Sequence, residues 1–222
     1  MIKRKITIGT YDTAAHGWTL TSWSLSEAQQ KTNYINIPGG DGARDASTAL
    51  TDGIPTYNDR IFTATLECSE GDRLHRESLI REMVNELDGM RWDIELPDDD
   101  LHHIEGRVHV AKLYNDPAHG SVRVTATCKP WKFNNADTVA TLTASTTAKT
   151  AELKNNGRRA VVPTLKVTGT GANVLLKYGT ASMAMGPGTY QWADLLLTPG
   201  SHRITYSGTG TLVVSYREAV LE

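Results

Sequence analysis

Apolar and polar positions alternate with a period of two along most of the chain, the spacing of half-buried strands. KITIG at 5–9 is strand-like. WTLTSWSLS at 18–26 places Trp18, Leu20, Ser22 and Ser24 on one side and Thr19, Thr21, Trp23 and Leu25 on the other, which predicts two partly covered faces. YINIP at 34–38 is a short strand closed by Pro38 and two glycines, and GGDGARDAS after it has the composition of a loop. YNDRIFTATLEC at 57–68 is a strand with Phe62, Ala64, Leu66 and Cys68 on its apolar face. The period then changes once. In SEGDRLHRESLIREMVNELDG, Leu79, Ile80, Met83, Val84 and Leu87 recur at helical spacing, Asp72 is placed to cap the start, and Gly89 stands where a helix ends in a left-handed turn. The spacing predicts one helix over about 73–88, lying across a sheet.

MRWDIELP at 90–97 returns to strand, followed by RVHVAKLY and SVRVTATCKP with NDPAHG as the turn between them. Val122, Val124, Ala126 and Cys128 alternate with Arg123, Thr125, Thr127 and Lys129, giving one buried and one wet face. After KPWKF at 129–133 the texture becomes rich in Thr and Ala, which sets a domain boundary at Phe133–Asn134: one domain over 1–133 and another over 134–222. The second contains VVPTLKVTG, NVLLKYG, ASMAMGPG, LLLTPG, HRITYSG and TLVVSYRE, short strands punctuated by turns, the pattern of an antiparallel sandwich. The expected class is mainly β.

Composition narrows the function more than the fold. Hydrophobic residues make up 39% of 222 residues, enough for packed cores. With 23 basic and 25 acidic residues the net charge is −2, and the basic clusters, KRK at 3–5 and Arg158–Arg159, are short, so no nucleic-acid-binding surface is expected. Two cysteines, Cys68 and Cys128, are too few for a disulfide framework, and both fall on apolar strand faces as buried thiols. MIKRKITIG becomes a strand where a signal peptide needs an apolar region, and no run is long enough to span a bilayer; a protein made in a cytoplasm, without membrane insertion, is expected.

The densest concentration of chemistry is LPDDDLHHIEGRVHV at 96–110. Strand alternation groups His103, Glu105, Arg107 and His109 on one face and His102, Ile104, Gly106, Val108 and Val110 on the other. A metal-dependent hydrolase centred on His103, Glu105 and His109 is one reading. Against it, Arg107 brings a cation to that face, and the zinc deaminases, which also use His-x-Glu, need a Pro-Cys-x-x-Cys where this chain has CKPW. Asp98, Asp99 and Asp100 follow Pro97 as turn residues do, so the segment reads as a hairpin with a charged tip. GGDGARD at 39–45 differs from the calcium nonapeptide by placing its last aspartate one residue late, and it has no second copy. No G-x-S-x-G elbow is present. Trp192 and Tyr190, near His202 and Arg203, suit either stacking on a sugar or sandwich core packing. A carbohydrate-binding module acting through the second domain is therefore the alternative function. No catalytic, cofactor-binding or metal-binding residue is assigned, and no cofactor is expected.

The order of segments carries a resemblance. YNDRIFTATLE, an amphipathic helix ending in NELDG, a strand entering PDDD, a GRVHV strand and a strand closing in CKPWKF, with GGDGARDAS upstream and GTGTLVVSYREAVLE at the end, resemble the distal tail protein (Dit) family of siphophages. The resemblance is strongest over about 33–133. It implies an N-terminal β-sandwich carrying one helix, followed by a galectin-like β-sandwich. It implies a virion structural protein and not an enzyme: a homohexameric ring at the distal end of the tail, assembled in the host cytoplasm. The ring would join the tail tube protein to tail-tip or baseplate proteins and to receptor-binding proteins, with DNA passing through its lumen unbound. Galectins read galactose through His-x-Asn-x-Arg and Trp-x-x-Glu-x-Arg; HRITY and WADLLL lack those partners.

Overall fold

A computed structural model describes residues 5–51 and 53–222; Lys3 and Arg4 of the KRK cluster lie outside them. The described chain is mainly β with one α-helix, and it divides into two compact units, Met1–Lys132 and Phe133–Glu222. No described helix is long and apolar enough to cross a membrane.

The first unit contains β1 (Thr7–Ile8), β2 (Tyr11–Asp12), β3 (Thr19–Leu25), β4 (Tyr34–Asn36), β5 (Ala43–Asp45), β6 (Arg60–Cys68), α1 (Arg73–Leu87), β7 (Arg91–Leu96), β8 (Asp99–Asn115) and β9 (Gly120–Asn134). Its main sheet runs β2-β1-β7-β8-β9-β6-β3. The inward residues of these strands, among them Phe62, Leu66, Ile94, Ile104, Val108, Val122 and Val124, form one core with Ile80, Met83 and Leu87 of the helix. Asp72 caps α1, accepting the His75 amide at 2.8 Å, and Gly89 follows it at φ +75°. Leu79 and Val84 sit half-buried at the edge of the helical stripe, and Arg76 completes its buried face.

Strand β3 does not have two covered faces. Leu20 stands opposite Leu66 and Ser22 opposite Thr65, so Thr21 is an extra residue, a β-bulge. The bulge resets the phase of the strand. Leu20 before it and Trp23 and Leu25 after it all turn toward the core, opposite Leu66, Ala64 and Phe62. The loop expected at GGDGARDAS is in part a strand: Ala43–Asp45 pairs with Tyr34–Asn36 as a separate two-stranded ribbon.

The second unit contains β10 (Thr138–Thr143), β11 (Lys149–Asn155), β12 (Thr164–Tyr178), β13 (Ala181–Met185), β14 (Gly188–Gln191), β15 (Gly200–Tyr216) and β16 (Ala219–Val220). Four of the short strands read from the sequence are halves of two long ones. Strands β12 and β15 pair antiparallel along their lengths, with a register shift between Thr168 and Asn173. Gly208 and Gly210 lie at the shift with φ of +119° and +103°, and a Cβ on Gly208 would sit 1.9 Å from the Asn173 carbonyl oxygen. Glycine is required there by both sterics and backbone. The paired strands curl, so Leu165, Val167, Leu212 and Val214 from one half and Val174, Leu176, Ile204 and Tyr206 from the other share one core. LLLTPG is no strand; Leu197 makes a single bridge to Val161.

Candidate functional site

The segment 96–110 is the β7–β8 hairpin and the start of β8. Pro97 and Asp98 form its tip, and Leu96 stands opposite Asp99. The register then shifts before His103 comes opposite Glu95, leaving Asp100, Leu101 and His102 as an irregularity. Asp99 organises it: its Oδ1 accepts the amides of Leu101 at 3.2 Å and His102 at 3.1 Å and lies 2.9 Å from His102 Nδ1. Lys132 Nζ is 3.4 Å from its Oδ2. Partial burial opposes ionisation of Asp99, but the bond and charge of His102, the Leu101 amide and Lys132 outweigh it and hold the carboxyl below its ordinary value.

Beyond the shift, alternation is regular. Glu105 stands opposite Asp93 and Arg107 opposite Arg91, all on the face of the sheet away from the core. His103 shares that face yet is only 4% exposed, with Nε2 3.8 Å from Asp93 Oδ2. One donor atom each of Asp93, His103 and Glu105 lies within 4.8 Å of the other two, while Lys129 forms an ion pair with Glu105. The set His103, Glu105 and His109 does not come together. His109 is six residues further along the strand, about 20 Å, and its Nδ1 bonds Asp88 Oδ1 at 2.8 Å below the helix end. Arg107 donates to the Gly89 carbonyl there. Asp93 was not singled out in the sequence. The two-residue tip, Pro97-Asp98, would by itself bring Asp93 opposite His102; the register shift at Asp100–His102 brings it opposite Glu105 instead, and the sequence carries no mark of that shift.

Around Trp192 the polar atoms bond within the chain. Trp192 Nε1 donates to Asp194 Oδ2 at 2.9 Å and its ring is half-buried against the second core. Tyr190 donates to the Gly186 carbonyl at 3.2 Å. His202 lies 2.8 Å from the Tyr178 hydroxyl through Nδ1 and 2.7 Å from the Thr198 carbonyl through Nε2. A carbonyl only accepts, so Nε2 carries a proton. Arg203, its neighbour in sequence, is exposed.

Among the described residues, exposed apolar side chains gather on 34–54. Tyr34, Ile35, Ile37 and Leu50 are 61%, 50%, 53% and 99% exposed. Gly39 and Gly42 turn the ribbon at φ +79° and +74°, and Asp45 accepts the Ser47 amide at 2.9 Å, closing the local turn.

No protein-family model matches the sequence, and no curated protein matches it. Among solved structures, the chain is similar to the crystal structure of the SPP1 Dit (gp 19.1) protein, described as a paradigm of hub adsorption apparatus in phages that infect Gram-positive bacteria. The TM-score is 0.67 at 13% identity, over 96% of this chain and 98% of that one. The two chains share a fold. The likeness spans both compact units and takes in the helix-bearing sheet as well as the curled strands of the second unit.

Proposed function

We propose that this chain is a structural protein of a phage tail, the hub at the distal end. The observation that carries the reading is the likeness in fold to the SPP1 hub protein over nearly the whole of both chains. In this role six copies close into a ring. The first unit, a β-sandwich with its helix, forms the ring wall through head-to-tail contacts. The ring joins the tail tube protein to the tail-tip or baseplate proteins that adsorb to the host. The second unit, a galectin-like sandwich, faces outward toward receptor-binding components. DNA passes through the lumen without specific contacts, for which a net charge of −2 is suited. The exposed apolar side chains at Tyr34, Ile35 and Ile37 support self-association, since a two-stranded ribbon is marginal in water and gains from a partner surface.

Light scattering and negative-stain images of the purified chain, alone and with its tail tube protein, test the reading. Rings of six copies are the expected result. A chain that stays monomeric at every concentration, and also in the presence of the tube protein, overturns it.

A further inference from the structure

Independently of the tail-hub reading, we propose that Asp93, His103 and Glu105 form a binding site for one divalent transition-metal ion, of which zinc is the best match, on the outer face of the β7–β8 hairpin. The register builds a square of four side chains on that face, with Asp93 opposite Glu105 and Glu95 opposite His103. Three of the four are carboxylates. Like charges placed directly across two strands repel, so the arrangement calls for a cation. Lys129 supplies one charge to Glu105. Asp93, which is 59% exposed at its side chain, faces His103 at 3.8 Å.

The geometry is close to that of a coordination sphere. Zinc bonds nitrogen and oxygen at about 2.0–2.2 Å, which puts neighbouring tetrahedral donors about 3.4 Å apart. The Asp93–His103 separation of 3.8 Å is near that spacing, and all three donor atoms lie within 4.8 Å of one another. Small side-chain rotations at Asp93 and Glu105 close the rest. His103 is 4% exposed and held on a central strand, so its imidazole loses little freedom on binding. One imidazole with two carboxylates favours zinc, cobalt or manganese over magnesium and calcium, which prefer oxygen alone. Three protein donors leave a coordination position for water. Binding ties β7 to β8 beyond their ladder and competes with Lys129 for Glu105.

The test is titration of the chelator-treated full chain with zinc chloride by calorimetry, with bound metal counted by elemental analysis and with magnesium and calcium as controls. One zinc ion per chain and a raised melting temperature are expected. Asp93→Asn, a change at an exposed carboxylate, and His103→Ala should each weaken binding by roughly tenfold or more, while His109→Ala leaves it unchanged. Lys129→Gln removes the competing ammonium and should tighten binding, an effect that a purely structural ion pair does not produce. Cobalt in place of zinc should give visible absorption bands that Asp93→Asn removes. The proposal is overturned by the absence of saturable zinc binding. It is equally overturned by stoichiometric binding that Asp93→Asn and His103→Ala leave intact, which would place the ion at other histidines.

Discussion

Arg76 shows how much a single side chain holds in place. It is 1% exposed, and its guanidinium donates to the carbonyls of Gly71 at 2.6 Å, Asp116 at 2.8 Å and Pro117 at 3.0 Å. It thus ties the start of α1 to the β8–β9 turn. Arg76→Ala removes these bonds together with the packing of a buried side chain, and a loss of about 3 kcal/mol is expected in urea denaturation. Cys128 illustrates a different constraint. Burial pushes its thiol up from 9.0 to about 12. Below pH 9 the folded and unfolded chains both keep the proton, and the contribution to stability is intact. Between pH 9 and about 12 the unfolded chain ionises first, so stability falls as pH rises, by up to about 1.4 kcal/mol per unit. Denaturation midpoints across that range, compared with Cys128→Ala, check the slope. Cys68 and Cys128 do not meet: Cys68 pairs with Gly120 and Cys128 with Arg60, at opposite ends of the β6–β9 ladder. Gly106 lies beneath Cys128, where a Cβ would come within 2.5 Å of its Sγ.

At the scale of elements, legibility followed periodicity. The helix, β6, β9 up to Cys128 and the stretch of β8 from Ile104 to Val110, with their buried faces, are legible because each keeps one period. β3 was misread because a single bulged residue, Thr21, inverts the alternation midway, and a bulge has no signature of its own there. The halves of β12 and β15 were read as separate strands for a related reason: Gly169, Gly171, Gly208 and Gly210 are turn residues locally, and only the pairing of two long strands makes them a bend. β10 and β11 are faint in the sequence because each turns only two apolar residues inward, Ala140 and Leu142 in one and Ala151 and Leu153 in the other, and they draw their order from β15. The candidate site was half legible. His103 and Glu105 share a face by alternation alone, but Asp93 joins them only through cross-strand register. The bend itself makes a prediction. Gly208→Val forces a side chain into the Asn173 carbonyl, and the second unit should lose its cooperative melting transition, while a change at exposed Thr209 leaves it within about 0.5 kcal/mol. Differential scanning calorimetry separates the two.

For the whole molecule, the ribbon at β4–β5 is where exposed apolar side chains gather on a paired backbone. Its side chains contribute little to either core, so Ile35→Asp with Ile37→Asp should leave the melting temperature nearly unchanged. If the ring reading holds, the same pair abolishes six-copy assemblies in light scattering; rings that persist would place the interface elsewhere. The ribbon also carries exposed basic residues, Lys31 before it and Arg44 within β5, on a backbone held by only three register pairs. Trypsin should therefore nick the solitary chain at these positions well before it digests the packed sheets. If the ring reading holds, neighbouring copies cover the ribbon and that cut slows, so the rate at which the cut appears on a denaturing gel becomes a clock for assembly that needs neither a microscope nor a label.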